Sequence, residues 1–464
     1  MKRVFIANRG EIALRVIRAC RALGLETVVG ASEADRDALA ARTADRAVCL
    51  GPGPATQSYL RPELLVQAAL GTGCDALHPG YGFLAESPQL ASLAREHGLV
   101  FVGPSCEVME LTGDKLRARA TAARAGLPVL PGREVSGGEE ALALAHEIGY
   151  PVLVKAAGGG GGRGIKLASA PAELRSLIGL ARSEAGAAFG DERVYLERFI
   201  AAARHVEVQI AADHHGAVVH LGERECSVQR RYQKVIEEAP APLLAGATRA
   251  ALTEAAVKLA RAIGYRNLGT VEFVLDAASD AFFFLEVNCR IQVEHPVTEA
   301  VTGRDLVALQ LRIADGAPLG FATGEAAVGG HAIECRLNAE DVANGFAPTP
   351  GTLTHFSVPD VAGLRVDTHC HPGAVISPYY DSLLAKLIAH GPDREAAIDI
   401  LLQALEHVEV EGVQTNRALL RSVLQHPDFR AAAITTDWLE RVQPAHAGCV
   451  GSPAPQGSGA EVGQ

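Results

Sequence analysis

Nowhere in the 464 residues does an apolar stretch approach the roughly 20 residues of a membrane-spanning helix, so no such span is expected. No long basic block occurs either, and the formal net charge is −11. That balance argues against general binding to nucleic acid or acidic membranes, while leaving room for local basic pockets. The first residues, MKRVFIANRGEIALRVIRACRALG, lack the apolar core and small-residue cleavage site of a secretory signal. Their arginines fall on an expected strand and helix, so a transit peptide is not expected, and the location read from the sequence is cytoplasmic. The nine cysteines include no C-x-x-C pair. A dispersed, odd set reads as reduced thiols serving as small core residues. His369, Cys370 and His371 in THCH raise the idea of a metal, but adjacent residues rarely point at one ion, and a loop is the plainer reading. Internal repeats are missing too.

What is present is apolar material for several cores, 48% of the chain, and length enough for two or three domains. RVFIA (Arg3 to Ala7) reads as a buried parallel strand. Ile12, Leu14, Val16, Ile17, Cys20 and Leu23 then recur near helical spacing, with Gly24 as a stop, and ETVVGAS is the next strand. A strand–helix–strand unit makes the first hundred residues a doubly wound α/β domain. HPGYGFLAES (His78 to Ser87) and FVGPS (Phe101 to Ser105) read as strand-end loops, and GDK (Gly113 to Lys115) precedes an Ala/Arg-rich helix. A compact segment follows, roughly 131 to 203. Beyond Arg204 the pattern is mostly strand, and from about Gly330 it is mixed α/β. The tail AGCVGSPAPQGSGAEVGQ reads as disordered.

The segment KAAGGGGGRGIKL (155–167) holds five glycines in a row. Gly159, Gly161 and Gly164 satisfy G-x-G-x-x-G, yet any glycine run does. A dinucleotide turn must open a helix, and here a strand follows. No G-K-[ST] ending makes a P-loop, and flanking strands argue against a passive linker. A hairpin flap remains, whose bare N–H groups can wrap a polyphosphate behind Lys155.

Such a flap calls for a cation elsewhere. FFFLEVNCRIQVEHP separates by parity into Leu285, Val287, Cys289, Ile291, Val293 and Glu286, Asn288, Arg290, Gln292, Glu294. On a strand these sets occupy opposite faces. An ordinary solvated face explains most alternation, but this polar set contains no lysine or threonine filler. GTVEFVLD adds Glu272, so Glu272, Glu286 and Asn288 offer oxygen ligands suited to Mg²⁺ that bridges ATP phosphates. Arg290, Gln292 and Glu294 could hold a small planar anion. RHVEVQIAA puts His205, Glu207 and Gln209 on one face, and ERECSVQRRYQKVIEEAP brings Gln229, Arg230, Arg231, Gln233 and Lys234. Together these read as walls of an anionic-substrate cleft.

With those motifs in place, the chain resembles the biotin carboxylases of the ATP-grasp superfamily. The likeness runs from IANRGEIALRVIRACRALG to about Thr436 through HPGYGFLAES, KAAGGGGGRG, RHVEVQI, QRRYQKVIEEAPAP, EVNCRIQVEHPVTE, HAIECRLNAED and YYDSLLAKL. It implies α/β and α+β architecture: an N-terminal doubly wound domain (1–112), an ATP-grasp domain (113–325) with a mobile glycine-loop lid (about 131–203), and a C-terminal biotin carboxylase domain (326–440), followed by the tail (441–464). It implies that ATP phosphorylates bicarbonate to carboxyphosphate and that the carboxyl group passes to biotin on a carrier protein, with Mg²⁺ or Mn²⁺ as metal. By the same resemblance Lys115 and Lys155 hold phosphates beneath a loop containing Gly160, Gly161 and Gly162, and Glu197 meets the adenine. His205, Gln229 and Lys234 line the nucleotide and bicarbonate region, and Glu272, Glu286 and Asn288 hold the metal. Arg290, Gln292 and the backbone of Val293 grip bicarbonate, Glu294 is the general base, and Arg336 stabilises charge on the biotin ureido oxygen.

Two departures stand out. Tyr232 occupies a position where many relatives carry His, which puts a nucleotide contact there in doubt, and the turn DAASDA is slightly long. The chain has two methionines, Met1 before Lys2 and Met109 before Glu110, and neither sits in the Ala-Met-Lys-Met context that receives biotin. A separate subunit is therefore expected, partnered by a biotin carboxyl carrier protein and carboxyltransferase subunits, and homodimeric. Acetyl-CoA carboxylase, and with it fatty acid synthesis, is the expected assembly. The alternatives are a propionyl-CoA, acyl-CoA, pyruvate or urea carboxylase, a catalytically inactive nucleotide-binding relative, or an ATP-grasp ligase for another acid and amine.

Overall fold

The first apolar run of the chain becomes the centre of a parallel sheet. Strands β1 (Arg3–Ile6), β2 (Glu26–Ala31), β3 (Arg46–Cys49), β4 (Ala76–His78) and β5 (Val100–Phe101) lie in the order β3-β2-β1-β4-β5. Every pairing is parallel, which the strand–helix–strand pattern predicts. Helix α1 (Gly10–Ala22) buries Ile12, Val16, Ile17 and Cys20, and Gly24 beyond it takes the positive φ (+70°) that ends the helix. The computed structural model describes residues 1–158, 165–322 and 329–442. The glycine run, with Gly160, Gly161 and Gly162, and nearly all of the expected tail lie outside the described residues; helix Trp438–Val442 reaches two residues into the stretch read as tail.

A second, antiparallel sheet carries strands β6 (Gly132–Val135), β7 (Val152–Ala156), β8 (Lys166–Ala168) and β9 (Val194–Arg198) in the order β6-β9-β7-β8. Val152 pairs with Ala168, so the strands flanking the glycine run are hairpin partners, as their sequence pattern predicts. Helices α2 (Gly138–Ile148) and α3 (Pro171–Phe189) cover it, and Ala141, Leu144, Leu174 and Ile178 meet Val152, Val154 and Leu196 in a core of their own.

The third sheet is the largest. Strands β10 (Ala203–Ala212), β11 (Val218–Arg230), β12 (Gln233–Ala239), β13 (Asn267–Asp276), β14 (Phe282–Asn288), β15 (His331–Asn338), β16 (Leu364–Thr368) and β17 (Leu383–Gly391) lie in the order β14-β13-β10-β11-β12-β15-β17-β16. Ile236 pairs with Cys335 and Ala239 with Ala332, so one sheet crosses from the middle of the chain into its last third. Val228, Val235 and Ile236 share a core with Ile333, Cys335, Leu384 and Leu387. On β10, Val206, Val208 and Ile210 pack against Leu252, Ala256 and Leu259 of helix Gly246–Ala262, leaving His205, Glu207 and Gln209 for the other face.

One expectation is corrected. The parity reading extends a strand from Phe282 through Glu294, but β14 stops at Asn288. The physical reason is Glu86, whose carboxylate accepts from the Cys289 N–H at 2.8 Å and from Arg290 Nε at 2.9 Å in place of a neighbouring strand. Residues 289–294 then form a loop that runs into helix α4 (His295–Thr302), with Pro296 in its first turn.

Candidate active site

Strand register assembles the site. Arg224 on β11 faces Glu207 on β10, Glu207 faces Glu272 on β13, and Glu272 faces Glu286 on β14. Directly opposed residues share a face, so three carboxylates and a guanidinium form one row across four strands. The next row sets Gln209 opposite Thr270 and Thr270 opposite Asn288. Register shifts fall beside Glu272 and beside Gln229, the kind of irregularity that re-aims side chains near a site. Far from forming a solvated face, Glu207, Gln209, Glu272, Asn288, Gln292 and Glu294 are buried.

Burial of so much acid requires cations. Lys234 supplies one: its Nζ lies 2.6 Å from Glu207, 2.9 Å from Glu272 and 2.7 Å from Glu294. Arg224, wholly buried, pairs with Glu207 and donates to Gln209 Oε1 at 2.8 Å and Thr298 Oγ1 at 2.9 Å. Arg336 Nη2 lies 2.9 Å from Glu294 Oε2 and also pairs with Glu237. Burial by itself raises the Glu294 carboxyl, but Lys234, Arg336 and Arg224 together hold it well below the ordinary range. Glu272 is likewise kept low against its burial by Lys234 and by His205, whose Nε2 is 3.0 Å away. Gln229 Nε2 donates to His205 Nδ1 at 3.2 Å, which leaves the ring's proton on the nitrogen facing Glu272.

The loop 289–294 presents Arg290 between two acceptors: Nη1 to Gln292 Oε1 at 2.6 Å and Nη2 to Asn288 Oδ1 at 2.9 Å. Gln292 Nε2 reaches Glu272 at 3.2 Å. Arg290, Gln292, Glu294, Lys234 and Arg336 are thus linked through Glu272 and Glu294 into one cluster, where a planar anion can meet cations and amides from several directions.

The donor set also fits a divalent cation. Burial, and after it the facing Glu272, pushes Glu286 up from the usual carboxylate range, and Lys115 is the counterweight. Two facing carboxylates with an amide oxygen two residues on are hard oxygen donors that a Mg²⁺ ion would relieve of their repulsion. A phosphate fits for the opposite reason. Burial, with neighbouring Lys155 adding to it, pulls Lys115 down despite Glu286. Lys155 is paired with Glu197, and Glu197 with Arg119. The two residues expected at phosphate and adenine therefore hold each other.

Other expected wall residues are elsewhere. The Arg230 guanidinium stacks on Phe346, 3.8 Å from the ring centre, and donates to the Gly345 carbonyl. Arg231, Tyr232 and Gln233 are exposed at the tip of the β11–β12 hairpin. Cys370 is a buried core residue, and among the described residues no three-donor cluster forms at THCH. Sequence reasoning missed Glu86, Arg119 and Arg224. Glu86 lies inside HPGYGFLAES and Arg224 inside ERECSVQRRYQKVIEEAP, but nothing local to either announces its partner.

Comparison with known proteins bears on the whole chain. Three family descriptions match in series: "Biotin carboxylase, N-terminal domain" at residues 1–109, "Carbamoyl-phosphate synthase L chain, ATP binding domain" at 114–322, and "Biotin carboxylase C-terminal domain" at 334–441. Biotin carboxylase 1 of Bacillus subtilis is 47% identical over 442 residues, covering 95% of this chain and 98% of its own. The biotin carboxylase of Pseudomonas aeruginosa is 47% identical over 444 residues, with 95% and 98% covered. Among solved structures, the Campylobacter jejuni biotin carboxylase complex with β,γ-ATP superposes with a TM-score of 0.92 at 42% identity, covering 95% of this chain and 98% of that one. The biotin carboxylase domain dimer of Hydrogenobacter thermophilus 2-oxoglutarate carboxylase, in complex with MgADP, ADP and bicarbonate, also gives 0.92 at 46% identity, with 95% and 97% covered.

Proposed function

Because the chain belongs to the biotin carboxylase family, an ATP-grasp fold, we propose that the cluster around Glu294 carries out the ATP-dependent carboxylation of biotin on a separate carrier protein. The single observation that carries this assignment is Glu294 itself: a buried carboxylate held between Lys234 and Arg336, at the end of a loop of anion-binding groups. Bicarbonate sits against Arg290, Gln292 and the Val293 N–H. Once it competes for Lys234 and Arg336, the cations that depress Glu294 are shared, its proton affinity rises, and it takes the bicarbonate proton. The oxygen freed in this way attacks the γ-phosphorus of ATP, giving carboxyphosphate and ADP. The bond from the carboxyl carbon to the phosphate oxygen then breaks, the released phosphate takes the proton from the biotin nitrogen, and the carboxyl group passes to that nitrogen while Arg336 stabilises the charge on the ureido oxygen. Lys115 and Lys155 hold the phosphates, which requires Lys155 to leave Glu197, and the sheet β6–β9 with its helices closes as a lid that keeps water from the labile intermediate. Glu272, Glu286 and Asn288 would hold Mg²⁺, which supplies charge neutralisation between the phosphates.

The parent assembly we assign is acetyl-CoA carboxylase, in the cytoplasm, as a homodimeric subunit served by a biotin carboxyl carrier protein and handing on to carboxyltransferase. What supports a separate biotin carboxylase subunit is that the alignment takes in 98% of the Bacillus relative, itself named a biotin carboxylase; acetyl-CoA as the acceptor is our reading. A second reading is favoured by a specific similarity, since the 2-oxoglutarate carboxylase domain is 46% identical and the corresponding part of Rhizobium etli pyruvate carboxylase 42%. The acceptor is chosen by the transferase, so assays with each purified carrier and transferase separate the two.

The test of the core assignment is bicarbonate-dependent ATP hydrolysis with and without free biotin. Wild type should be stimulated by biotin, and Glu294→Ala should lose about 10²-fold or more of that rate while still binding ATP. A Glu294→Ala variant that keeps its biotin stimulation would remove the general base from this position.

A further inference from the structure

Arg336 and Lys386 stand directly opposite each other on β15 and β17, so both leave the same face of the sheet. They also reach consecutive residues of the same loop. Arg336 meets the Glu294 carboxylate, and Lys386 Nζ donates to the Val293 carbonyl at 2.9 Å. Lys386 is wholly buried, and its other strong partner is Glu11 in the first turn of α1, also 2.9 Å away. Glu11 accepts in turn from the Tyr81 hydroxyl, and the Tyr81 ring centre lies 6.0 Å from Nζ. One ammonium thus ties together the C-terminal strands, the anion-binding loop and the N-terminal helix. Burial works against its charge, but Glu11, Glu334 and Asp367 more than offset that and keep it protonated. A buried ammonium has three N–H donors to place, and the Val293 carbonyl takes one of them beside Glu11, so the loop backbone is one of the few anchors of this lysine.

We propose that Lys386 is a positioning residue for bicarbonate, acting through the Val293 peptide. The peptide is planar, so fixing the Val293 carbonyl fixes the plane joining Val293 to Glu294. That plane fixes the Cα atoms of Val293 and Glu294 relative to each other, so the Val293 N–H and the Glu294 side chain, which flank it, keep only rotations about their own single bonds. This inference rests on the assignment of bicarbonate to Arg290, Gln292 and Val293.

The experiment measures KM for bicarbonate and for MgATP, with kcat, in the full chain. Variants are Lys386→Met, the charge-balanced Glu11→Gln/Lys386→Met, Glu11→Gln alone and Arg290→Ala, each checked for folding by near-UV circular dichroism and thermal melting. The double variant covers the case in which Lys386→Met alone leaves Glu11 stranded and does not fold. The expected result is a bicarbonate KM raised tenfold or more in the folded Lys386 variants, with the MgATP KM within twofold, and little change in Glu11→Gln. A folded double variant with wild-type bicarbonate KM, or an equal rise in both KM values, overturns the proposal. So does failure of both Lys386 variants to fold, which would make the lysine a stability element. Arg290→Ala keeps the two claims apart: if it leaves the bicarbonate KM unchanged, the site assignment itself fails. If it raises that KM and Lys386→Met does not, only the positioning role fails.

Discussion

Glu207 neutralises two cations at once, Arg224 and Lys234, with no exposure to solvent. Replacing it with Gln strands the buried Arg224, while Lys234 keeps Glu272 and Glu294, and the expected loss is about 3–5 kcal/mol of stability, read as a lower urea midpoint. Buried histidines act on the acid side, His78 among them. His78 is fully buried, and burial, with Arg15 nearby, pushes its pKa down to about 3 from the ordinary 6.5. Below pH 6.5 the unfolded chain takes up a proton that the folded chain refuses. Its contribution to stability should therefore fall by about 1.4 kcal/mol per pH unit between pH 6.5 and about 3, and His78→Gln should lower the overall slope by about that amount in denaturation at pH 7, 6 and 5. At this scale the sequence was legible where chemistry is dense: Glu286, Asn288, Arg290, Gln292 and Glu294 alternate without filler. It was silent where one partner is remote. Glu86 meets Cys289 across 203 residues, and neither neighbourhood hints at the other.

The β11–β12 hairpin turns on Arg231 and Tyr232 alone, with φ of +47° and +64°. Left-handed backbone costs a non-glycine residue roughly 1–2 kcal/mol, and hairpins of this length favour Asn-Gly. Arg231→Asn with Tyr232→Gly should raise stability by about 1 kcal/mol or more, visible as a higher melting temperature. Tyr232, the departure noted in the sequence, is thus half exposed at a strained tip. Elements read well from periodicity: β1, α1, the glycine-flanking hairpin and β13 fall where the pattern puts them. The strand past Asn288 did not, because alternation reports which side chains are apolar and not where hydrogen-bonded pairing stops. There the stop comes from a side chain of another segment, Glu86.

For the molecule as a whole, the doubly wound start and the strand-rich middle were legible, while the joining of the middle to the last third was not. Strand pairing between β12 and β15 links segments that lie far apart in the chain and leaves no mark in either. Its physical weight is testable. A fragment of residues 1–325 loses β15 and exposes Val235 and Ile236 on an unpaired edge, so it should aggregate or remain unfolded, whereas the full chain melts cooperatively. Circular dichroism and size exclusion on the two decide the matter. The same seam bears on inheritance. Recombination between two relatives near residue 326 would bring together strands shaped by separate histories, with Ile236 set against a foreign partner for Cys335 and Arg336 against a foreign Glu294. Viable chimaeras should therefore exchange the middle and the last third as one block, or place their crossover before β10.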